Sequence, residues 1–217
     1  MRMSERLLKL KVWLEKELCE GRQMKAPAPD FNIGEIVTQE PRVYLAWAPT
    51  RTDQTGLMTT DPVNVCPGIV VMPNHANAKL VEEKRFDRYN NVHRNQMLGQ
   101  NLSVSILFSV YEPGIRLPGF VESVESGRPN MGLMKEGTEE GLLTLIDWMD
   151  DCMTKLLGAK SIPGTDLFVN EEKLVYSLYT DQDYVVDRRP IYYGFVNCEL
   201  YGYANEKTPT GVEEYLI

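Results

Sequence analysis

Apolar residues recur at the spacing of one helix face between Ser4 and Glu20. Leu7, Leu10, Leu14 and Leu18 form the stripe, and Val12 and Trp13 widen it. Ser4 is placed to cap this helix and Gly21 to stop it. The same spacing returns from Thr138 to Leu157, through Leu142, Leu145, Ile146, Met149, Met153 and Leu156. Thr138 reads as the cap, with Glu139 and Glu140 at the positive end of the helix dipole and Gly158 as the stop. Between the two helices the period changes from helical to two. From Gln100 to Tyr111, Leu102, Val104, Ile106, Phe108 and Val110 point one way, and Ser103, Ser105 and Ser109 the other. That alternation predicts a half-buried strand.

Shorter strand patterns lie at Arg42–Ala48 and at Pro67–Pro73, with 49–66 between them read as a long hairpin loop. Lys173–Thr180 and Pro190–Ala204 read as a closing antiparallel pair, joined by Asp181–Asp187. Ala26-Pro27-Ala28-Pro29-Asp30 reads as an extended linker, because each proline biases the residue before it away from helix. Two stretches do not fit a compact order. Residues 74–100 are densely charged from Lys79 to Arg94 and read as a short helix or an excursion from the sheet. Residues 112–137 are rich in glycine and proline and read as a long arm. The expected class is α+β: an antiparallel sheet flanked by two main amphipathic helices, with long insertions at 74–100 and 112–137. One domain spans 1–204, and 205–217 forms a C-terminal tail.

With 217 residues and a hydrophobic fraction of 43%, a chain of this length can bury a full core without staples. The 31 acidic and 23 basic residues give a formal charge of −8. That balance argues against a protein whose main task is to grip phosphates. Cys19, Cys66, Cys152 and Cys198 are widely spaced, which reads as free buried thiols in a reducing compartment. Neither an apolar signal region behind Met1 nor a run long enough to cross a bilayer is evident, so a soluble protein made in the cytoplasm is expected.

Candidate chemistry is sparse. His75 and His93 are the two histidines, and His93 has Glu83 and Asp87 near it in sequence. Asp181, Asp183 and Asp187 lack the bend glycine and closing glutamate of a calcium loop. Asp147, Asp150 and Asp151 could do acid–base work, but fit the solvated face of an amphipathic helix better. None of the three glycine motifs that cradle phosphates or expose a nucleophile occurs. No catalytic residue, metal or cofactor is therefore expected. The closing strands are rich in aromatics: Tyr176, Tyr179, Tyr192, Tyr193, Phe195, Tyr201 and Tyr203. Strand geometry sets Tyr193, Phe195, Tyr201 and Tyr203 on one face and Tyr192 on the other. Arg188 and Arg189 lie beside them. Tyrosine and arginine dominate interface hot spots, so Arg188, Arg189, Tyr192 and Tyr193 are interface candidates; cross-strand packing of the aromatics in the core is the other reading. Ile115, Leu117 and Phe120 join them, because a solvated arm has no need of such residues: the arm either docks on a partner or folds back over its own sheet.

The order of these elements resembles the tail terminator, or tail completion, proteins of tailed bacteriophages. The resembling pieces are the helix around Leu7-Leu8-Lys9-Leu10, the Pro-Gly-Ile-Val-Val strand from Pro67 and the strand Leu102–Val110. The helix Thr138–Leu157 and the run Asp187-Arg188-Arg189-Pro190-Ile191-Tyr192-Tyr193-Gly194 complete it. The resemblance implies a hexameric homo-oligomeric ring in the virion. Such a ring caps the tail tube, meets the neck and connector proteins, and lets DNA pass through its lumen without specific binding. It implies no enzyme activity and no membrane. The long segments leave a head–tail connector as the alternative, and a small metal-dependent hydrolase is the rival from another class.

Overall fold

A computed structural model describes residues 2–27, 36–46, 51–52, 58–59, 66–86, 92–112, 115–116, 134–135, 138–178, 180–181, 184–185 and 191–203. Helix α1 (Met3–Leu14) runs into a π-helical turn, Glu15–Cys19. Strands β1 (Met24–Pro27), β2 (Ile36–Gln39) and β3 (Arg42–Leu45) follow, then a two-residue pair, β4 (Arg51–Thr52) with β5 (Met58–Thr59). The long strands β6 (Gly68–Phe86) and β7 (Val92–Tyr111) come next, then a second short pair, β8 (Ile115–Arg116) with β9 (Met134–Lys135). Helix α2 (Thr138–Ala159) and strand β10 (Leu167–Val169) lead to β11 (Val175–Leu178). A third short pair, β12 (Thr180–Asp181) with β13 (Tyr184–Val185), precedes β14 (Ile191–Tyr203).

The content is mixed α+β, with one curled main sheet and two helices. The sheet runs β10–β14–β7–β6–β3, and β11 pairs β14 beside β10. All of its neighbours are antiparallel except β3 and β6, which are parallel. The segment between β3 and β6 is therefore a crossover and not the hairpin loop the strand pattern suggested. A hairpin would have returned β6 antiparallel.

The core follows the alternation in β7. Leu102, Val104, Ile106, Phe108 and Val110 are all buried. Their register partners Leu200, Cys198 and Val196 on β14 and Val71 and Ile69 on β6 share that face and are buried too. Both helices contribute to the same core: Leu10, Trp13, Leu14 and Leu18 from one end of the chain, Leu145, Trp148, Met149, Cys152 and Leu156 from α2. Ile146 is partly buried against it. The Trp148 ring stands edge-on to Phe108 with centroids 5.2 Å apart. Its indole N–H donates to the Leu18 carbonyl at 3.1 Å, so this large ring is buried with its polar atom satisfied.

Two glycines permit this closeness. A Cβ on Gly194 of β14 would lie 2.6 Å from the Met149 sulfur. One on Gly141 of α2 would lie 2.3 Å from the Tyr192 ring.

Several local expectations are corrected. Ser4 is not the cap: α1 begins at Met3, and the Arg2 N–H donates to the Glu5 carboxylate at 3.0 Å. The α-helix ends at Leu14, and the π-helical turn brings Leu18 and Cys19 into the core. Val12 is exposed. Thr138 is the first helical residue and not its cap, and α2 passes through Gly158 to Ala159. Lys160, with φ of 56°, takes the left-handed turn there. Met24–Pro27 is a strand paired with Ile36–Gln39, where a linker was expected from Ala26; 28–30 lie outside the described residues. Strands β6 and β7 continue through 74–86 and 92–100, where a short helix or an excursion from the sheet was expected; 87–91 lie outside the described residues. A bulge at Asn74, between Pro73 and His75, shifts the register on the way.

Candidate functional site

The sheet face away from the helices carries the residues left over by the alternation. On β14 these are Tyr193, Phe195, Asn197, Glu199 and Tyr201, and on β7 Asn101, Ser103, Ser105, Leu107 and Ser109. Val70 and Met72 continue it on β6 and Tyr44 on β3. The face divides in two. Toward the start of β14 it is apolar: Val70 is buried and Leu107, Phe195 and Tyr193 half-buried. Ser109 is buried there and donates to the Gly68 carbonyl at 3.1 Å. Toward the other end it is a polar ladder across three strands. The Asn74 amide donates to Ser105 Oγ at 2.8 Å, and Ser105 Oγ donates to the side-chain Oδ1 of Asn197 at 2.5 Å. One step on, the Asn101 amide donates to Glu199 at 3.1 Å.

At the margin formed by β10 and β11 the surface is apolar again. Phe168 stacks on Tyr201 with ring centroids 5.9 Å apart, and both are 40% exposed. Val175 and Tyr176 on β11 are 55% and 44% exposed. A margin of large exposed apolar side chains is suited to contact and not to chemistry.

The interface candidates separate. Tyr192 is half-buried on the helix side, against Gly141 and the core. Tyr193 is half-buried on the opposite face, as the alternation required. Ile115 lies in β8, whose register with β9 brings the two ends of the 112–137 segment together. At the root of that segment, buried Glu112 accepts from Lys25 at 2.8 Å and 2.6 Å. Arg188, Arg189, Leu117 and Phe120 lie outside the described residues. Phe168 and Val175 went unnoticed in the sequence, because three- and four-residue strands give too short an alternation to read.

His75 is exposed beside the bulge. Asp147, Asp150 and Asp151 are exposed on the solvent side of α2, and Asp151 pairs with Arg22. The described residues hold no group of three or more His, Cys, Asp or Glu arranged to bind a metal. All four cysteines are free and buried. Burial pushes the Cys19, Cys66 and Cys198 thiols up to about 12 and Cys152 well above its ordinary value. Such thiols stay protonated and inert. A groove of about 440 Å³ opens where the π-turn meets the β2–β3 connection, lined by Glu15, Lys16, Glu20, Glu40 and Arg42 among others. Glu40 is engaged there, accepting from the Gly21 N–H at 2.6 Å.

No helix among the described residues is long and apolar enough to cross a membrane. No protein-family profile matches the chain, and no curated protein matches it either.

Proposed function

We propose that the chain is a structural virion protein, one subunit of a hexameric ring that terminates a phage tail tube and joins it to the neck. The observation that carries this reading is the exposed apolar margin of the sheet, where Phe168 stacks on Tyr201 across β10 and β14 and Val175 of β11 is exposed on the same face. Burial of such side chains against a neighbour is favourable by about 25 cal/mol per Å². A margin meeting a different surface of the next copy makes a head-to-tail contact, and such contacts close into rings when the rotation allows. The acidic balance of the chain and the polar Asn74–Ser105–Asn197 ladder support a lumen that DNA passes without sticking. In this reading the helices flank a mainly antiparallel sheet, as in the family the sequence resembles, and the partners are the tube protein below and connector proteins above.

Negative-stain microscopy of the purified full chain, with mass from light scattering, tests it. Six-fold rings are the expected result. A monomer at every concentration reached would overturn the ring.

A further inference from the structure

The charged contacts of the described residues gather at one seam, between the N-terminal helical segment and the stretch 148–166. Buried Arg6 pairs with Asp166, Arg22 with Asp151, and Lys155 with Glu17 at 2.9 Å. The Lys9 ammonium donates to the Gly164 carbonyl. The Arg22 guanidinium also lies over the Trp148 ring, 5.8 Å from its centroid. The hydrogen bond from Lys155 holds the Glu17 carboxyl below its ordinary value. Arg22, Asp151, Glu17 and Lys155 are all partly open to solvent, so salt can weaken their attraction.

The segment is separable from the sheet. It is helical throughout, α1 followed by the π-turn, and contributes no strand, so lifting it breaks no ladder. Its apolar side, with Leu10, Leu14 and Leu18, closes over the core. It joins β1 through residues 20–23, which form neither helix nor strand. Gly21 there holds φ of 75°, which glycine adopts without strain. Arg22 lies inside this connection, and its two contacts on α2 pin it down.

We propose that α1 and its π-turn form an electrostatic latch, which lifts from the body as one unit about residues 20–23 while the sheet stays folded. Burial of Leu10, Leu14 and Leu18 favours the closed state, and the charged contacts set how often it opens. Opening releases the Trp148 indole N–H from the Leu18 carbonyl and the ring from Arg22. The ring and the apolar side of α1 then become available to a partner without loss of the sheet. The latch goes beyond the ring reading and stands without it.

Hydrogen exchange of the full chain, read by mass spectrometry in sodium chloride from about 20 to about 500 mM, tests it. The amides of α1 and the π-turn should exchange faster than those of β7 and β14 at low salt. Added salt should speed them about three-fold or more and leave the β7 and β14 amides at their own rate. Lys155→Glu should act at low salt as added salt does, at α1 and the turn only. Lys155→Glu combined with Glu17→Lys reverses the pair and should restore the wild-type rate. Should the single variant fold poorly by circular dichroism, the salt series on the wild-type chain decides alone. One shared rate and one shared salt dependence for α1 and the sheet would overturn the latch, because the body would then open only as a whole. Faster α1 exchange that neither salt nor the Lys155 variant alters would overturn the charged contacts as its fastening.

Discussion

The two faces of the central sheet solve different problems with the same strands. Toward the helices, Ile69 and Val71 of β6, alternate residues of β7 from Leu102 to Val110, and Val196, Cys198 and Leu200 of β14 are apolar and buried, and the fit is close enough that Gly194 and Gly141 have no room for a Cβ. On the opposite face the same strands place serine, asparagine and glutamate at one end and half-buried apolar residues at the other. One face is closed by this chain's own helices. The other ends in an exposed apolar margin. Stability and association should therefore be separable by mutation, each on its own side.

The largest effect is expected at the centre of the closed face. Trp148→Ala removes a fully buried ring, its contact with Phe108 and the donor to Leu18. A loss of about 3–5 kcal/mol is expected in urea denaturation. A loss below about 1 kcal/mol would mean that the closed face is not the seat of stability. Gly194→Val comes next. Its side chain would collide with the Met149 sulfur, and the Ser177 carbonyl lies 3.3 Å from the first added carbon. Overpacking of this kind costs about 1–3 kcal/mol, and the melting temperature should fall without change in oligomeric state.

A third effect is smaller and depends on pH. Arg6 is fully buried and pairs with Asp166, its Nε donating at 2.8 Å. Burial alone would raise the Asp166 carboxyl. The hydrogen bond from Arg6, a backbone hydrogen bond and the Arg6 charge outweigh it and hold the carboxyl below its usual value. The folded form thus prefers the ionised acid. This contribution is complete above the unfolded carboxyl's pKa, about 3.9, and is lost as pH falls through the lower folded value. Asp166→Asn should cost about 1–2 kcal/mol at neutral pH, discounted for the partial exposure of Asp166. It should also flatten the acid limb of the stability curve, and an acid limb identical to wild type would exclude the pair as its source. The smallest effect on stability belongs to the open margin. Tyr201→Ser should stay within about 0.5 kcal/mol of wild type while weakening assembly in sedimentation. The reverse outcome, a destabilised chain that assembles normally, would erase the distinction between the faces.

How much of this was legible beforehand depends on how far a pattern runs. The stripes of α1 and α2 and the alternation of β7 extend over many residues, and most of the residues they mark lie in the core, Val12 and Leu142 excepted. The direction of β6 relative to β3 was not legible, because a strand's own side chains do not encode which way its neighbour runs. The continuation of β6 and β7 through 74–86 and 92–100 was not legible, because the run Glu82-Glu83-Lys84-Arg85 shows no period of two. Trp148 fell off the expected stripe, because a helix buried this deeply fills more than one narrow row, whereas Cys152 is buried as its place on the apolar side of the helix implied. The margin at Phe168 and Val175 rests on two strands too short to show a period at all.

The four cysteines give the molecule a built-in clock. Cys19 sits on the π-turn, Cys66 at the entry to β6, Cys152 within α2 and Cys198 in the middle of β14, and all are sealed from solvent. At pH 8 a thiol held near 12 is ionised to only about one part in ten thousand. Alkylation of the native chain then proceeds almost wholly through molecules that have opened. Because the four sites lie on separate elements, the mass spectrum of a partly labelled sample reports how the body comes apart. Molecules carrying either no label or four would mark a single cooperative unit, whereas a population labelled only at Cys19 would show the N-terminal helix lifting away before the sheet yields.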